Sequence, residues 1–152
     1  MVRLPTVKPS VFEMYIDWLY FGEIVNNASY KTCSLLNPLI RLSLLGDLVD
    51  DRNLRNKAIV ALQVKAYKEV VSPGAHQIRL IWESTSEGSM LRKWALDSIF
   101  PRHRGAFEEC VAEYPSEFLQ QIAVKAMQHA PVVSGAEFLA KRHEYQEADE
   151  DS

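Results

Sequence analysis

The chain has 152 residues, 47% of them apolar, enough to bury a core without a disulfide or metal staple. Its longest run free of Asp, Glu, Lys and Arg, Ala126 to Ala136, is eleven residues, against about 20 for a membrane span, which excludes an integral helical membrane protein. A net charge of −3 argues against a general nucleic-acid binder.

Leu, Ala and Glu supply 43 residues against 24 for Val, Ile and Thr, so the expected fold is all-α, with seven or eight short helices. The first helix is predicted at Ser10-Val11-Phe12-Glu13, which has the spacing of a capping box. Phe12, Tyr15, Ile16 and Leu19 form one apolar stripe, with Val11, Met14 and Trp18 beside it. Gly22 stands where a left-handed C-terminal cap belongs, and Glu23-Ile24-Val25 has room for one short strand. Trp18 is expected to be held by neighbouring helices.

Asn37-Pro38 starts a second helix, with Gly46 inside it as a sign of close packing. Asp50 or Asp51 caps a third, to about Glu69, built on Leu54, Ala58, Ala61 and Leu62, with Val64 a further candidate. Ser72-Pro73 starts a fourth, with Ile78, Ile81 and Trp82 facing inward. A fifth runs from about Met90 to Phe100, and Trp94, beside Arg92 and Lys93, is expected to be partly exposed. Ala106 to Tyr114 is a sixth. Ser116 starts a seventh, with Phe118, Leu119, Ile122, Ala123, Ala126 and Met127 on its apolar side. Ser134 to Glu137 repeats the capping spacing before a last helix ending near Tyr145. The whole reads as one helical domain over 1–146, with 147–152 an acidic, disordered tail.

No motif carries chemistry. Glycine-rich phosphate loops and the G-x-S-x-G nucleophile turn are absent, and His143-Glu144 lacks the second histidine of H-E-x-x-H. Cys33 and Cys110 form neither a disulfide framework nor a C-x-x-C metal pair, and no cofactor or metal is expected. Met1 to Ser10 has no signal-peptide core, so an intracellular protein is expected, in cytoplasm or nucleus. Arg102-His103-Arg104, with Arg92 and Lys93, reads as a solvated helix end rather than a nucleic-acid patch, and Glu108, Glu109 and Glu113 as a solvent face. Residues 51–105 carry +5 and residues 106–152 carry −7, charges that would face each other or water, the alternative being a basic surface for an acidic partner. An alternative is a small helical enzyme or ligand-binding protein in which Cys110, His103 or His129 meets carboxylates. The feature that stands out is aromatic: Phe12, Tyr15, Trp18, Tyr20 and Phe21 fall within ten residues, a density suited to core packing or, for part of the set, to an interface.

Val11-Phe12-Glu13 through Trp18-Leu19-Tyr20-Phe21-Gly22-Glu23-Ile24 resembles a segment of fungal BTB/POZ domains. Leu42 to Asp51, with Gly46-Asp47 and Asp50, resembles the family's following helix, and Leu54, Asn56 and Ile59 the one after. Ile78 to Thr85, Gly88 to Arg92, Asp97 and Tyr114 to Leu119 are similar to the helical extension of such proteins. The resemblance covers about 4–125, with 1–70 like the C-terminal half of the fold and 71–146 like its extension. The family's dimer-forming helix and first strands have no counterpart before Leu4, and Phe21 stands where the family often has Thr. The resemblance implies a non-enzymatic protein–protein interaction module, an adaptor or oligomerisation piece. Its partners would be other proteins, itself or a cullin-type ubiquitin ligase scaffold, with no nucleic acid and no membrane. The residues expected to carry contact are Phe12, Tyr15, Trp18, Leu19 and Phe21.

Overall fold

The protein's structure is a computed structural model that describes residues 7–24, 36–69, 72–99, 104–131, 134–141 and 144. It is all-α: eight α-helices and no strand occur among the described residues. Glu23 and Ile24 are not in a strand, since no backbone among the described residues pairs with them, and Val25 lies outside the described residues. Cys33, Phe100, His103, Tyr145 and the tail 147–152 also lie outside them.

Helix α1 spans Pro9–Phe21 and begins one residue before the predicted cap. Proline suits the first turn, where an N–H would be orphaned, so Pro9 starts the helix and Lys8 takes the cap position. Ser10 makes no capping bond there, and the Lys8 carbonyl instead accepts the Val11 and Phe12 amides at 3.0 and 3.1 Å. Gly22 closes the helix at φ 66°, and its N–H donates to Trp18 O at 2.8 Å.

Helix α2, Asn37–Leu48, and helix α3, Arg52–Glu69, form the centre. Asn37 is the first residue of α2 rather than its cap, and its Oδ1 accepts Gln77 Nε2 at 2.9 Å. The turn between α2 and α3 is tight: Asp50 takes the left-handed region at φ 54°, which aspartate tolerates better than most residues. Asp51 N–H then donates back to Gly46 O at 2.9 Å, while Asp51 Oδ1 caps α3 by accepting Leu54 N–H at 3.0 Å. At Gly46 the two helices come close together. A β-carbon there would sit 3.0 Å from Arg55 Cγ and 3.3 Å from Arg55 N. Overpacking of that kind costs about 1–3 kcal/mol, against about 1 kcal/mol gained in helix propensity. Gly46→Ala is therefore expected to lose about 1 kcal/mol in urea unfolding, and a gain would contradict this packing.

Helix α4, Ala75–Ser84, starts three residues after Ser72, with Gly74 N–H donating to Gln77 Oε1 at 2.9 Å. Helix α5 is Met90–Ile99, α6 is Arg104–Cys110, followed by a 3-10 turn at Val111–Glu113, and α7 is Ser116–His129. Helix α8, Gly135–Ala140, ends before the predicted Tyr145, and its Glu137 N–H donates to Ser134 Oγ at 3.2 Å.

Buried side chains from α1 to α5 and from α7 form one continuous cluster, including Leu39, Ile40, Leu42, Leu54, Leu62, Ile78, Ile81 and Phe118. Ile78, Ile81 and Trp82 face inward as expected. Trp82, Phe118 and Tyr114 form a ring ladder, each step 5.0 Å between centroids. Two expectations fail here. Trp94 is only 5% exposed and belongs to the core, whereas Trp18 is half-buried. On α7 the apolar side narrows towards its end: Phe118 is buried, but Ala123 and Met127 are exposed because nothing described packs over that turn.

Candidate functional site

The α1 helix buries the narrower of its two stripes. Val11 and Met14 enter the core, Trp18 half-buries beside them, and the Phe12 stripe points away. Phe12 is 51% exposed, Leu19 57% and Phe21 72%, with Tyr20 exposed next to them. Tyr15 is half-buried, its ring 6.4 Å from that of Phe12. Of the five predicted contact residues, then, Phe12, Leu19 and Phe21 are open to solvent, and Tyr15 and Trp18 join that face to the body. Trp18 makes this junction specific: its Nε1–H donates to Asp51 Oδ2 at 3.0 Å. One carboxylate therefore caps α3 with one oxygen and holds α1 with the other.

A groove of about 500 Å³ lies between the end of α1 and α3, lined by Gly22, Ile24 and Ala61 among others. On this side α3 exposes Val60, Val64 and Tyr67, the first two lining the groove, so Val64 faces water and not, as expected, the core. Nothing in the sequence singled out this second apolar face, because the inner stripe of Leu54, Ala58, Leu62 and Ala66 already accounts for the helix.

The groups considered for chemistry sit differently. Cys110 is half-buried at the end of α6, while His129 is exposed at the end of α7, its Nδ1 2.8 Å from Lys125 O. No group of three His, Cys, Asp or Glu placed to hold a metal occurs among the described residues. Tyr114 has its hydroxyl pushed up by burial and then by nearby Cys110 and Glu113. Glu108, Glu109 and Glu113 are exposed. No described helix is long and apolar enough to cross a membrane.

Arg92 overturns the expectation of a solvated basic cluster. Its side chain is buried, lies 5.2 Å from the Trp82 ring centroid and pairs with Glu117 at 2.9 Å. That pair joins the basic middle of the chain to its acidic end. Asp97 makes a second link, accepting Lys125 and Lys93 Nζ, the latter at 3.1 Å. Burial alone would raise the Asp97 carboxyl, but hydrogen bonds and charge from both lysines outweigh it and hold it below the ordinary value of 3.8. A lowered carboxyl stabilises the fold above its unfolded-state value, and that contribution disappears as pH falls through the folded-state value. The stability gap between the native chain and Asp97→Asn is thus expected to be constant near neutrality. It should close in urea titrations below about pH 3.8, and a gap that widened with acid would contradict the pairing.

No known protein family, curated protein or solved structure matches this chain.

Proposed function

We propose that the chain is a non-enzymatic protein–protein interaction module of BTB-related helical type, working inside the cell as an adaptor or oligomerisation piece through the outer face of α1. The observation that carries this reading is the exposure of Phe12, Leu19 and Phe21 on a helix whose other stripe is buried in the core. Large aromatic side chains left open to water in a cluster are the composition of an interface centre. The order and spacing of the BTB-like segments in the sequence support the same class. Its partner is another protein, a second copy of this chain or a cullin-type scaffold.

Phe12 and Leu19 make little core contact, so Phe12→Ser with Leu19→Ser is expected to leave the melting temperature within about 2 °C, as surface changes stay near ±0.5 kcal/mol. The same double variant should lose at least tenfold in affinity for whatever protein the native chain retains in affinity capture, since hot-spot truncations each cost about 2 kcal/mol or more. Undiminished capture by a folded double variant would remove α1 from the reading.

A further inference from the structure

The outer face of α3 has a chemistry that α1 lacks. Val60, Val64 and Tyr67, at i, i+4 and i+7, form an exposed apolar stripe, and Val60 and Val64 line the groove together with Ile24. Lys57, Lys65 and Lys68 line that groove, against only Glu23 and Glu69. None of the three lysines has a carboxylate at ion-pair distance among the described residues. Such a surface fits a segment that is apolar on one side and acidic on the other. The chain itself contains a segment that combines apolar and acidic residues. Residues 134–152 include Leu139 and Tyr145, with six carboxylates against two cations, Lys141 and Arg142. Among its described side chains, Ser134 to Glu137 and Leu139 to Lys141 are exposed, and Leu139 is 64% so.

We propose that the acidic segment 134–152 of a second copy docks into the lysine-lined groove between α1 and α3, so that the chain self-associates by exchanging its C-terminal arms. The apolar stripe supplies buried area and the lysines set the direction of the arm. This specifies a partner within the interaction-module reading, yet it uses α3 and not the Phe12 face. Because Lys57 and Lys68 are exposed and Lys65 is half-buried at the groove wall, the association weakens with salt as the Debye length shrinks from about 10 Å at 0.1 M to about 3 Å at 1 M.

The test mixes isotopically labelled and unlabelled full-length chains, joins contacting amines and carboxylates with a zero-length carbodiimide, and reads the linked peptides by mass spectrometry. Mixed-label links from Lys57, Lys65 or Lys68 to carboxylates of 144–151 are expected, together with a scattering mass above the 17.3 kDa of one chain at low salt. The variant Lys57→Glu/Lys65→Glu/Lys68→Glu, folded by its thermal melt, should lose the excess mass. Adding Glu147→Lys and Glu150→Lys to that variant should bring it back. Links within one label only, or a mass of one chain at all salt concentrations, would overturn the proposal. Phe12→Ser with Leu19→Ser should leave these links intact, so failure of the α1 reading and failure of this one give different results.

Discussion

Arg92→Met is expected to lower the unfolding free energy by about 3–5 kcal/mol, the cost of stripping several buried and half-buried acceptors of their donor at about 1–3 kcal/mol each. For a chain of this size that corresponds to a fall of roughly 6–20 °C in melting temperature. The reason lies at the end of α4, where the last carbonyls have no helical partner. Arg92 supplies what is missing: one of its terminal nitrogens donates to Trp82 O at 3.0 Å and to Thr85 O at 2.6 Å. Its Nε donates to Thr85 Oγ1 at 2.9 Å, and that hydroxyl in turn donates to Ile81 O at 2.6 Å. The remaining terminal nitrogen reaches Glu117 on α7. Methionine fills the volume and satisfies none of these acceptors, which leaves Trp82 O buried and Thr85 O half-buried without this donor. Arg92→Lys keeps the charge but not the planar fork, so little of the loss should be recovered. Glu117→Gln touches only the half-exposed end and should cost no more than about 1 kcal/mol. A melt of Arg92→Met within 2 °C of the native chain would mean that desolvating the guanidinium costs as much as its contacts return.

The second large effect is expected at Trp94. Truncating a buried aromatic to alanine costs about 3–5 kcal/mol, and Trp94 sits in the core with Leu91, Ala95 and Ile99 of its own helix. Trp18→Ala removes a half-buried ring and one hydrogen bond to Asp51, so its loss should be clearly smaller. Urea unfolding of the two variants side by side gives the order. A larger loss at Trp18 would mean that α1 contributes more to the body than Val11, Met14 and Trp18 account for.

That order is the reverse of what the sequence implies, and the reason is physical. Arg92 and Lys93 make the surroundings of Trp94 look polar, but Arg92 is itself turned inward onto Trp82, leaving α5 with an apolar inner side. Local neighbours report on exposure only where charged side chains reach water, and a capping arginine breaks that rule. The two stripes of α1 show a related failure. Both have helical spacing, and periodicity alone does not say which of them meets α2. What was legible depended on backbone constraints or strong patterns. Gly22, Gly46, Asp51 as a cap and the inward set of Ile78, Ile81 and Trp82 all occupy the roles their chemistry implies. Three of the five residues expected on the contact face are exposed, whereas the lysine-lined face of α3 was hidden behind a helix already explained by its core stripe.

The two-sided use of Asp51 links α1 to the start of α3 in time as well as in space. Helices open in cooperative units whose free energies fall below that of global unfolding when few buried contacts hold them. The α1 helix buries only Val11 and Met14 fully and is anchored through Trp18 to Asp51, so it should exchange its amide protons as a separate, faster unit. When it lifts, Asp51 Oδ2 loses the indole and the carboxylate is free to turn away from the Leu54 amide. Protection of Leu54 should therefore follow that of α1 and not that of Leu62 in the middle of the same helix. A protein that seizes the outer side of α1 would leave its trace 33 residues further along the chain, in the exchange rate at the first turn of α3.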